Sequence, residues 1–256
     1  MDIRDKVAII TGASAGIGMA TATALAREGA AVVVVARSAE TLERVAGKLI
    51  AEGHAALPLP ADLRDAKQTS AMIRQVKERF GRIDILVNNA GQAAAGLVAD
   101  VSLEDFRQIV ELNVYGPLRA MQAVIPIMRE SGGGVIVNVS SMVSKLHIPG
   151  LGAYAATKAA LNLLSETARF ELESEKIRVI TMFPRTTATD FGTHSLGNQA
   201  LRQQQRGHAA ANVIVDPPEA VARKIVEAIQ GELPEHYMGR PTAGRPPADT
   251  ETGRTA

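Results

Sequence analysis

The sequence of 256 residues contains no cysteine and no tryptophan, and aromatic residues make up only 3% of it. Without cysteine the chain has no disulfide framework, no thiolate nucleophile and no thiolate metal site. The absence also suits a reducing compartment, and we expect a cytoplasmic protein. Because 46% of the residues are hydrophobic but few are aromatic, the core must consist of Ala, Val, Ile and Leu. Such aliphatic packing is expected of a parallel sheet that is buried on both faces.

The chain also lacks an excess of one charge and a long apolar run. The formal net charge is +1, so no global field favours nucleic acid or an anionic membrane as a partner. No apolar run approaches the roughly 20 residues that a spanning helix needs, and residues 1–6 are charged and run directly into a predicted strand, unlike a signal peptide. The five histidines show no metal-ligand spacing. We therefore expect a soluble protein with no nucleic-acid partner, no membrane partner and no metal.

Short apolar runs alternate with longer segments of helical period. This alternation predicts right-handed βαβ units and an α/β Rossmann fold, a doubly wound and mostly parallel sheet of about seven strands with helices on both faces. The individual strands predicted are residues 6–11, 31–36, 55–60, 83–88, 133–140 and 177–183, and the helices after the first are predicted at about 38–53, 65–80, 102–128, 153–173 and 218–230. We expect a single domain over residues 1–238, a substrate lid at about 190–215 and a flexible tail over 239–256.

A glycine-rich segment lies directly between the first predicted strand and its helix. It reads TGASAGIG over residues 11–18. Glycines at this place let the backbone turn tightly and approach a pyrophosphate, whose charge is met by the N–H groups at the helix N-terminus. The alternative is a turn that needs positive φ angles and binds nothing.

The end of the second predicted strand discriminates between cofactors. An NAD-preferring site usually carries an acid there, which binds the ribose 2′-hydroxyl, but this chain has Arg37 followed by Ser38. A guanidinium pairs with a 2′-phosphate through two hydrogen bonds, and Ser38 offers a hydroxyl. The sequence therefore predicts NADP(H) in preference to NAD(H). The alternative is that Arg37 is a solvated residue at the start of a helix.

Three residues carry the catalytic prediction: Ser141, Tyr154 and Lys158. Tyr154 and Lys158 are four residues apart near the start of a predicted helix, so they share a face, and Ser141 follows the fifth predicted strand. An ammonium beside a phenol lowers the pKa of that phenol from its ordinary value of about 10. Ser141 would then hold a substrate oxygen while Tyr154 moves the proton and a nicotinamide exchanges hydride with the carbonyl carbon.

Taken together, these motifs make the chain resemble the short-chain dehydrogenase/reductase family over residues 6 to about 238. The motifs occur in the order expected of that family, as TGASAGIG at 11–18, Asp62 in ADL, NNAG at 88–91, Asn113, NVSS ending in Ser141, and YAATK at 154–158. The resemblance implies that Asp62 meets the adenine amino group and that Asn113 completes a catalytic tetrad by holding a water near Lys158. Without the resemblance, Asn113 would be interpreted as a polar residue that kinks its helix.

The resemblance also predicts the full set of cofactor contacts. These residues are Gly12, Ser14, Gly16, Ile17, Gly18, Arg37, Ser38, Asp62, Leu63, Asn89, Ala90, Gly91, Tyr154, Lys158, Pro184, Thr187 and Thr189. One position departs from the family pattern, because Arg185 replaces the glycine that usually follows the proline after strand six. Its side chain either turns outward, or enters the pocket and favours an anionic substrate.

The predicted function is therefore the NADP(H)-dependent interconversion of a small ketone or aldehyde and an alcohol. A non-catalytic NADP(H)-binding redox sensor and an epimerase or dehydratase on the same scaffold are the alternatives. Apolar residues in the loop after Ser141 predict a moderately apolar pocket, and Lys145 and His147 either line it or face solvent. A homotetramer or homodimer is implied by the resemblance, through helices that include Ala156, Ala159, Leu163 and Leu164, although these residues are equally compatible with core packing.

Overall fold

A computed structural model describes residues 1–198, 214–231 and 233–239 of the chain. The main sheet has seven parallel strands in the order β3-β2-β1-β4-β6-β7-β9. These strands are β1 (Val7–Thr11), β2 (Ala31–Ala36), β3 (Ala56–Pro60), β4 (Ile85–Asn88), β6 (Gly134–Val139), β7 (Ile177–Phe183) and β9 (Glu235–Tyr237). The order reverses between β1 and β4, so the sheet is doubly wound as the sequence predicts, and this switch point opens a crevice at the carboxyl edge.

Seven α-helices lie among the described residues and cover both faces of the sheet. They are α1 (Gly16–Arg27), α2 (Ala39–Ala51), α3 (Ala66–Phe80), α4 (Leu103–Val110), α5 (Gly116–Glu130), α6 (Gly152–Leu172) and α7 (Pro218–Gln230). One apolar cluster joins the sheet to α1, α2 and α7. A second cluster joins the opposite face to α3, α5 and the end of α6. Every residue of β1 and β6 is buried, which explains their continuous apolar character.

Local signals in the sequence account for several helix boundaries. Ser38, Asp65 and Ser102 are N-cap residues whose side chains accept hydrogen bonds from backbone N–H groups in the first turns of α2, α3 and α4. Such bonds satisfy donors that the helix itself leaves unpaired. At the other end of α3, Gly81 takes the left-handed conformation with φ 72°, which a residue without Cβ adopts at little cost.

The long helix predicted over residues 102–128 is wrong as a single element. A π-helical turn, Glu111–Tyr115, separates α4 from α5. Pro117 follows at the start of α5, where its missing N–H is tolerated. A π turn inserts one residue into the helical register and is often found at functional sites. Here it carries Asn113 inward, where the side chain is completely buried.

Two pieces of sheet have no counterpart among the individually predicted strands. β9 consists of three residues, pairs with β7 from Thr181 to Phe183, and supplies the seventh strand. A second, separate sheet joins β5 (Ala94–Ala95) to β8 (Leu196–Gly197). Both are too short for a periodic hydrophobic signal, so their pairing partners determine them.

Several expectations fall outside the described residues or concern exposed surface. Residues 199–213 of the predicted lid and 240–256 of the predicted tail lie outside the described ranges. On α6, Ala156, Ala159 and Leu163 are exposed and Leu164 is half-buried. Packing in the core is therefore the wrong interpretation for the first three. No helix among the described residues has the length and apolar character required to cross a membrane.

Candidate active site

The predicted site residues collect at the carboxyl edge of the sheet, around the switch point. The glycine turn follows β1, Asn89 to Gly91 follow β4, Ser140 and Ser141 follow β6, and Pro184 follows β7. Because the strands are parallel, all four connections leave the same edge. Tyr154 and Lys158 reach this edge from the first turns of α6.

The glycine turn approaches the loop after β4 too closely for side chains. Gly12 has φ 67°, and a Cβ added to it would lie 2.9 Å from both Ala90 Cα and Asn89 Nδ2. A Cβ on Gly18 would overlap the carbonyl oxygen of Gly12 and lie 2.6 Å from Asn89 Nδ2. The helix α1 begins with Ala15 as N-cap and without a side-chain cap. Its first N–H groups are therefore not occupied by a cap side chain and face the turn, which is the arrangement that binds anions.

Thr11 connects the glycine turn to the loop after β4, although the sequence did not mark it as a site residue. Its Oγ1 accepts hydrogen bonds from the backbone N–H groups of Asn89 at 2.9 Å and Ala90 at 3.0 Å, and donates to Val87 O at 3.2 Å. In return, Asn89 Nδ2 donates to Thr11 O at 2.9 Å. In the sequence, this role is indicated only by the position of Thr11 directly before Gly12.

At the end of β2, Arg37 is exposed and Ser38 caps α2. The Ser38 hydroxyl accepts from Thr41 N at 3.3 Å and donates to Thr41 Oγ1 at 3.0 Å. It therefore already has partners within α2. Arg37 directly follows the carboxyl end of β2, the place in the chain where the sequence predicts a residue that binds a 2′-phosphate.

Asp62 is paired with Arg64, a neighbour that the sequence interpretation overlooked. The Arg64 guanidinium donates to both carboxylate oxygens, with Nη2 2.6 Å from Oδ2 and Nε 3.0 Å from Oδ1. These hydrogen bonds are the largest influence that lowers the pKa of Asp62, and the charge of Arg37 adds to it. The carboxylate is thus held in a fixed orientation by its neighbour in the sequence. Leu63 is buried in the core beside it.

Ser141, Tyr154 and Lys158 form one cluster, in which Tyr154 and Lys158 are buried and Ser141 is half-buried. The Ser141 hydroxyl lies near enough to the Tyr154 phenol to influence its pKa, and Ser141 Oγ accepts a hydrogen bond from Val143 N at 3.2 Å. Lys158 Nζ donates to Val139 O at 2.9 Å and lies 5.9 Å from the centre of the Tyr154 ring. Only 8% of Tyr154 and 4% of Lys158 is exposed.

Burial controls the acidity of this pair. It raises the pKa of Tyr154 to about 12, against a smaller lowering by the hydrogen bond from Ser141. It also lowers the pKa of Lys158 to about 8. Desolvation penalises the charged form of each group, so the phenol stays protonated at neutral pH. The expectation that the neighbouring ammonium lowers the pKa of Tyr154 is not met in this structure, because desolvation is the larger effect.

Asn113 fastens the loop after β4 to α6. Its Oδ1 accepts from Gln92 N at 2.9 Å, and its Nδ2 donates to Gln92 O at 2.8 Å and to Thr157 Oγ1 at 3.0 Å. Gly91 lies in the same contact, because a Cβ added to it would be 3.3 Å from Asn113 Oδ1 and 3.5 Å from Lys158 Nζ. The structure therefore brings Asn113 and Lys158 together around Gly91.

The described part of the predicted lid covers the cluster. The ring of Phe191 lies 5.7 Å from that of Tyr154, centre to centre. Gln92 Nε2 donates to His194 O at 2.7 Å, and β5 pairs with β8. Thr189 lies against the glycine turn, since a Cβ on Gly16 would be 2.8 Å from Thr189 Cγ2.

The Arg185 side chain pairs with another residue of this chain and is therefore not left free to bind an anionic substrate. Its guanidinium makes two hydrogen bonds to the carboxylate of Asp216. Lys145 is exposed and its Nζ lies 5.2 Å from the centre of the Phe183 ring, which in turn stacks on Tyr237. His147 is exposed as well. Among the residues that the structure describes, no cluster of three metal-binding side chains occurs.

Known proteins share both the sequence and this architecture. Residues 6–200 match the model of the family described as short chain dehydrogenase. The chain is 36% identical over 231 residues to the glycine betaine reductase ATRR of Emericella nidulans, a match that covers 90% of this chain but 18% of that protein. It therefore spans less than a fifth of that relative.

Two solved structures extend the comparison. An alcohol dehydrogenase from the archaeon Thermococcus sibiricus, complexed with 5-hydroxy-NADP, is 30% identical with a TM-score of 0.79, over 95% of this chain and 99% of that one. The 3-ketoacyl-(acyl-carrier-protein) reductase from Brucella melitensis, complexed with NADH, is 31% identical with a TM-score of 0.82, over 93% and 99%.

The contact between Gly18 and the glycine turn generates a stability prediction. Gly18→Ala should lower the free energy of unfolding by about 1–3 kcal/mol, because its methyl group overlaps a backbone atom that has no room to move. Urea unfolding followed by circular dichroism measures this. The control is Gly47→Ala on α2, where an added Cβ meets nothing within 4 Å and a gain of about 0.5–1 kcal/mol is expected. Equal changes in the two variants would contradict the overlap at Gly18.

Proposed function

We propose that this chain, which belongs to the short-chain dehydrogenase family, is an NADP(H)-dependent oxidoreductase that interconverts a ketone or aldehyde and an alcohol. The observation that carries the proposal is the Ser141–Tyr154–Lys158 cluster beside the glycine turn. A phenol, a hydroxyl and an amine at the carboxyl edge of a doubly wound sheet are the groups that carbonyl reduction requires.

The crevice residues fit a dinucleotide. The turn at Gly12 and Gly18 has no space for side chains, and the N-terminus of α1 is uncapped, so backbone N–H groups would meet a pyrophosphate there. When bound, the nicotinamide would supply or accept the hydride. The further residues proposed to hold the cofactor are Ser14, Gly16, Ile17, Ser38, Asp62, Leu63, Asn89, Ala90, Gly91, Tyr154, Lys158, Pro184, Thr187 and Thr189.

Asp62 keeps acceptor capacity for the adenine amino group although it is paired with Arg64. An ionised carboxylate has about four lone-pair positions, and the Asp62 side chain is 24% exposed. In this proposal Arg64 orients the carboxylate, and the exposed lone pairs face the base.

In the proposed reaction Ser141 holds the carbonyl oxygen and Tyr154 delivers the proton to it. The raised pKa of the Tyr154 phenol keeps its proton available at neutral pH, which suits reduction. Lys158 lies near enough to stabilise negative charge that develops on the phenol oxygen when the proton leaves. Asn113 positions the loop after β4 against α6 and, in this proposal, completes the tetrad.

The preference for NADP(H) is supported by Arg37 and by the absence of an acid at the end of β2. Guanidinium attracts a 2′-phosphate, whereas a carboxylate would repel it.

The substrate is proposed to be a small carbonyl compound with an apolar part. Val143 and Leu196 pack against the apolar cluster that contains Tyr154, and Phe191 contacts the Tyr154 ring.

We also propose that the chain forms a homodimer or homotetramer through the exposed face of α6. Leu163 is 66% exposed and Phe170 is 76% exposed, and Ala156 and Ala160 continue this face. Large apolar side chains aligned on one face at helical spacing are typical of helix–helix interfaces.

Replacing Tyr154 by phenylalanine tests the proton donor. Tyr154→Phe should reduce turnover by more than about 100-fold, because general acid catalysis contributes at least that factor, while NADPH binding persists. Ketone and aldehyde reduction followed by NADPH absorbance, together with calorimetric titration of NADPH, measures both properties. Tyr115→Phe, at a tyrosine that is 48% exposed, is the control and should keep full activity. Turnover retained by Tyr154→Phe would remove Tyr154 from this role.

Replacing Arg37 tests the cofactor preference. Arg37→Ala should weaken NADPH binding by about 1–3 kcal/mol, the range for loss of a charge-assisted hydrogen bond, and should leave NADH binding nearly unchanged. Titration of both cofactors measures the difference. The control Arg74→Ala, at an exposed arginine of α3, should alter neither affinity. An equal loss for both cofactors would disprove the 2′-phosphate assignment.

A charged residue on the exposed face of α6 tests the assembly. Leu163→Glu combined with Phe170→Glu should convert the oligomer to a monomer, because carboxylates would be buried without partners at the interface. Sedimentation velocity reports the mass. Ile50→Glu on α2, at a residue that is 55% exposed, should leave the mass unchanged. A monomeric unmodified chain would refute the proposed interface.

A further inference from the structure

Arg185 occupies a position where the family that the chain resembles usually has glycine. It follows Pro184 at the end of β7, two residues before Thr187 and four before Thr189. The segment that holds these two threonines begins at Pro184, whose carbonyl oxygen accepts a hydrogen bond from Met142 N at 2.9 Å next to Ser141. It leads to Phe191, whose ring lies 5.7 Å from that of Tyr154, so the segment borders the end of the crevice where the proposed hydride transfer takes place. An arginine at this place would put a positive charge next to the crevice unless another residue pairs with its side chain.

Asp216 is that partner, although it is 31 residues away along the chain. Arg185 Nε donates to Asp216 Oδ2 at 3.1 Å, and Nη2 donates to Oδ1 at 2.8 Å. The two-pronged geometry matches guanidinium to carboxylate, which a lysine does not reproduce. The Asp216 side chain is only 10% exposed and that of Arg185 is 31% exposed. Loss of either partner would leave the other with an uncompensated charge, at high cost for the more buried Asp216.

The backbone of Asp216 binds the same segment. Asp216 N donates to Thr186 O at 2.9 Å, and Ala188 N donates to Asp216 O at 2.9 Å. These bonds form an isolated parallel bridge opposite Thr187. The Thr187 hydroxyl is also engaged, since its Oγ1 donates to Arg185 O at 3.1 Å. Residues 185–188 are consequently held at both the side-chain and the backbone level by one aspartate.

This bridge ends next to the glycine turn. Thr189 Cγ2 would be 2.8 Å from a Cβ on Gly16, so a small shift of residues 185–188 changes the space between Thr189 and the turn. The Arg185 guanidinium also lies beside Gly239, where Nη1 would be 2.8 Å from an added Cβ. The ion pair therefore connects the ends of β7 and β9 with the residues that precede α7.

We propose that Arg185 and Asp216 are a pair of positioning residues that fix the path of Thr187 to Thr189 and thereby set the affinity for the nicotinamide half of the cofactor. The inference rests on the proposed function, because it presupposes a bound nicotinamide nucleotide. In this proposal the ion pair fixes the backbone at a position where the family usually has glycine. Neither residue contacts the reacting atoms in this proposal.

The test compares two ligands that differ only in the nicotinamide ring. NADPH contains the ring, whereas 2′-phospho-ADP-ribose has the adenosine, the 2′-phosphate, the pyrophosphate and the second ribose but no nicotinamide. Arg185→Met and Asp216→Asn should each weaken NADPH by about tenfold or more, as for a broken buried charge pair. Both should leave the affinity for 2′-phospho-ADP-ribose within about twofold of the unmodified chain. Isothermal titration calorimetry measures all of these affinities.

Further variants distinguish loss of the Arg185–Asp216 ion pair from a general loss of folded structure. Asp216→Asn retains the size and the backbone bonds of Asp216 and stays informative if Arg185→Met fails to fold. Arg185→Met combined with Asp216→Asn should lose no more NADPH affinity than the worse single variant, because coupled residues are not additive. Arg185→Lys should recover part of the loss. Lys224→Met, which breaks an exposed ion pair within α7, is the control and should change neither affinity.

The outcomes are distinct. If both ligands weaken in parallel, or if neither changes, the pair does not position the nicotinamide segment and the inference is overturned, while the proposed function stands. If the unmodified chain binds neither NADPH nor 2′-phospho-ADP-ribose, the cofactor proposal itself fails and this inference fails with it.

Discussion

Desolvation of Tyr154 and Lys158 is the constraint around which the rest of the site is arranged. A phenol and an amine are both taken out of water between β6, α6 and the loop after β4, and each loses stabilisation of its charged form. The protein tolerates this because the amine donates to the carbonyl oxygen of Val139 and the Ser141 hydroxyl partly offsets the rise in the pKa of the phenol. Water is largely excluded, so a proton passed from the phenol to a substrate oxygen would meet little competition from solvent.

The elements around this pair are fastened to one another by polar groups whose partners lie far apart in the sequence. Thr11 binds the loop after β4, and Asn113 binds Gln92 and Thr157. Below them, Asn88 Nδ2 donates to Asn138 Oδ1 at 2.8 Å, joining β4 to β6 within the core. Such buried hydrogen bonds between distant elements favour a single arrangement of the strand ends.

Much of the fold was predictable because apolar runs and caps are local signals. The continuous Val and Ile runs of β1, β2 and β7 identified those strands, and Ser38 and Asp65 identified helix starts. The π turn at Asn113 and the three residues of β9 escaped prediction, because each depends on contacts with distant elements.

The motifs located Ser141, Tyr154 and Lys158, and the structure brings these residues together. The pairing of Asp62 with Arg64 was missed although the two residues are only two positions apart in the sequence. The partner of Arg185 was not predictable from its position, and the pKa of Tyr154 results from competing effects that only burial in three dimensions decides.

The contact at Gly91 divides the site into a part of fixed dimensions and a part open to variation. Where the loop after β4 meets Asn113 and Lys158, a Cβ on Gly91 would lie 3.3 Å from Asn113 Oδ1 and 3.5 Å from Lys158 Nζ, so a larger side chain at this position would displace one of these two groups. In the proposed function, differences in substrate would therefore arise from the opposite wall, formed by residues 142–151 and by the segment that carries Phe191. If the proposed function holds, a chain of this architecture can change its preferred substrate on one side while the spacing of Tyr154, Lys158 and Asn113 on the other stays constant.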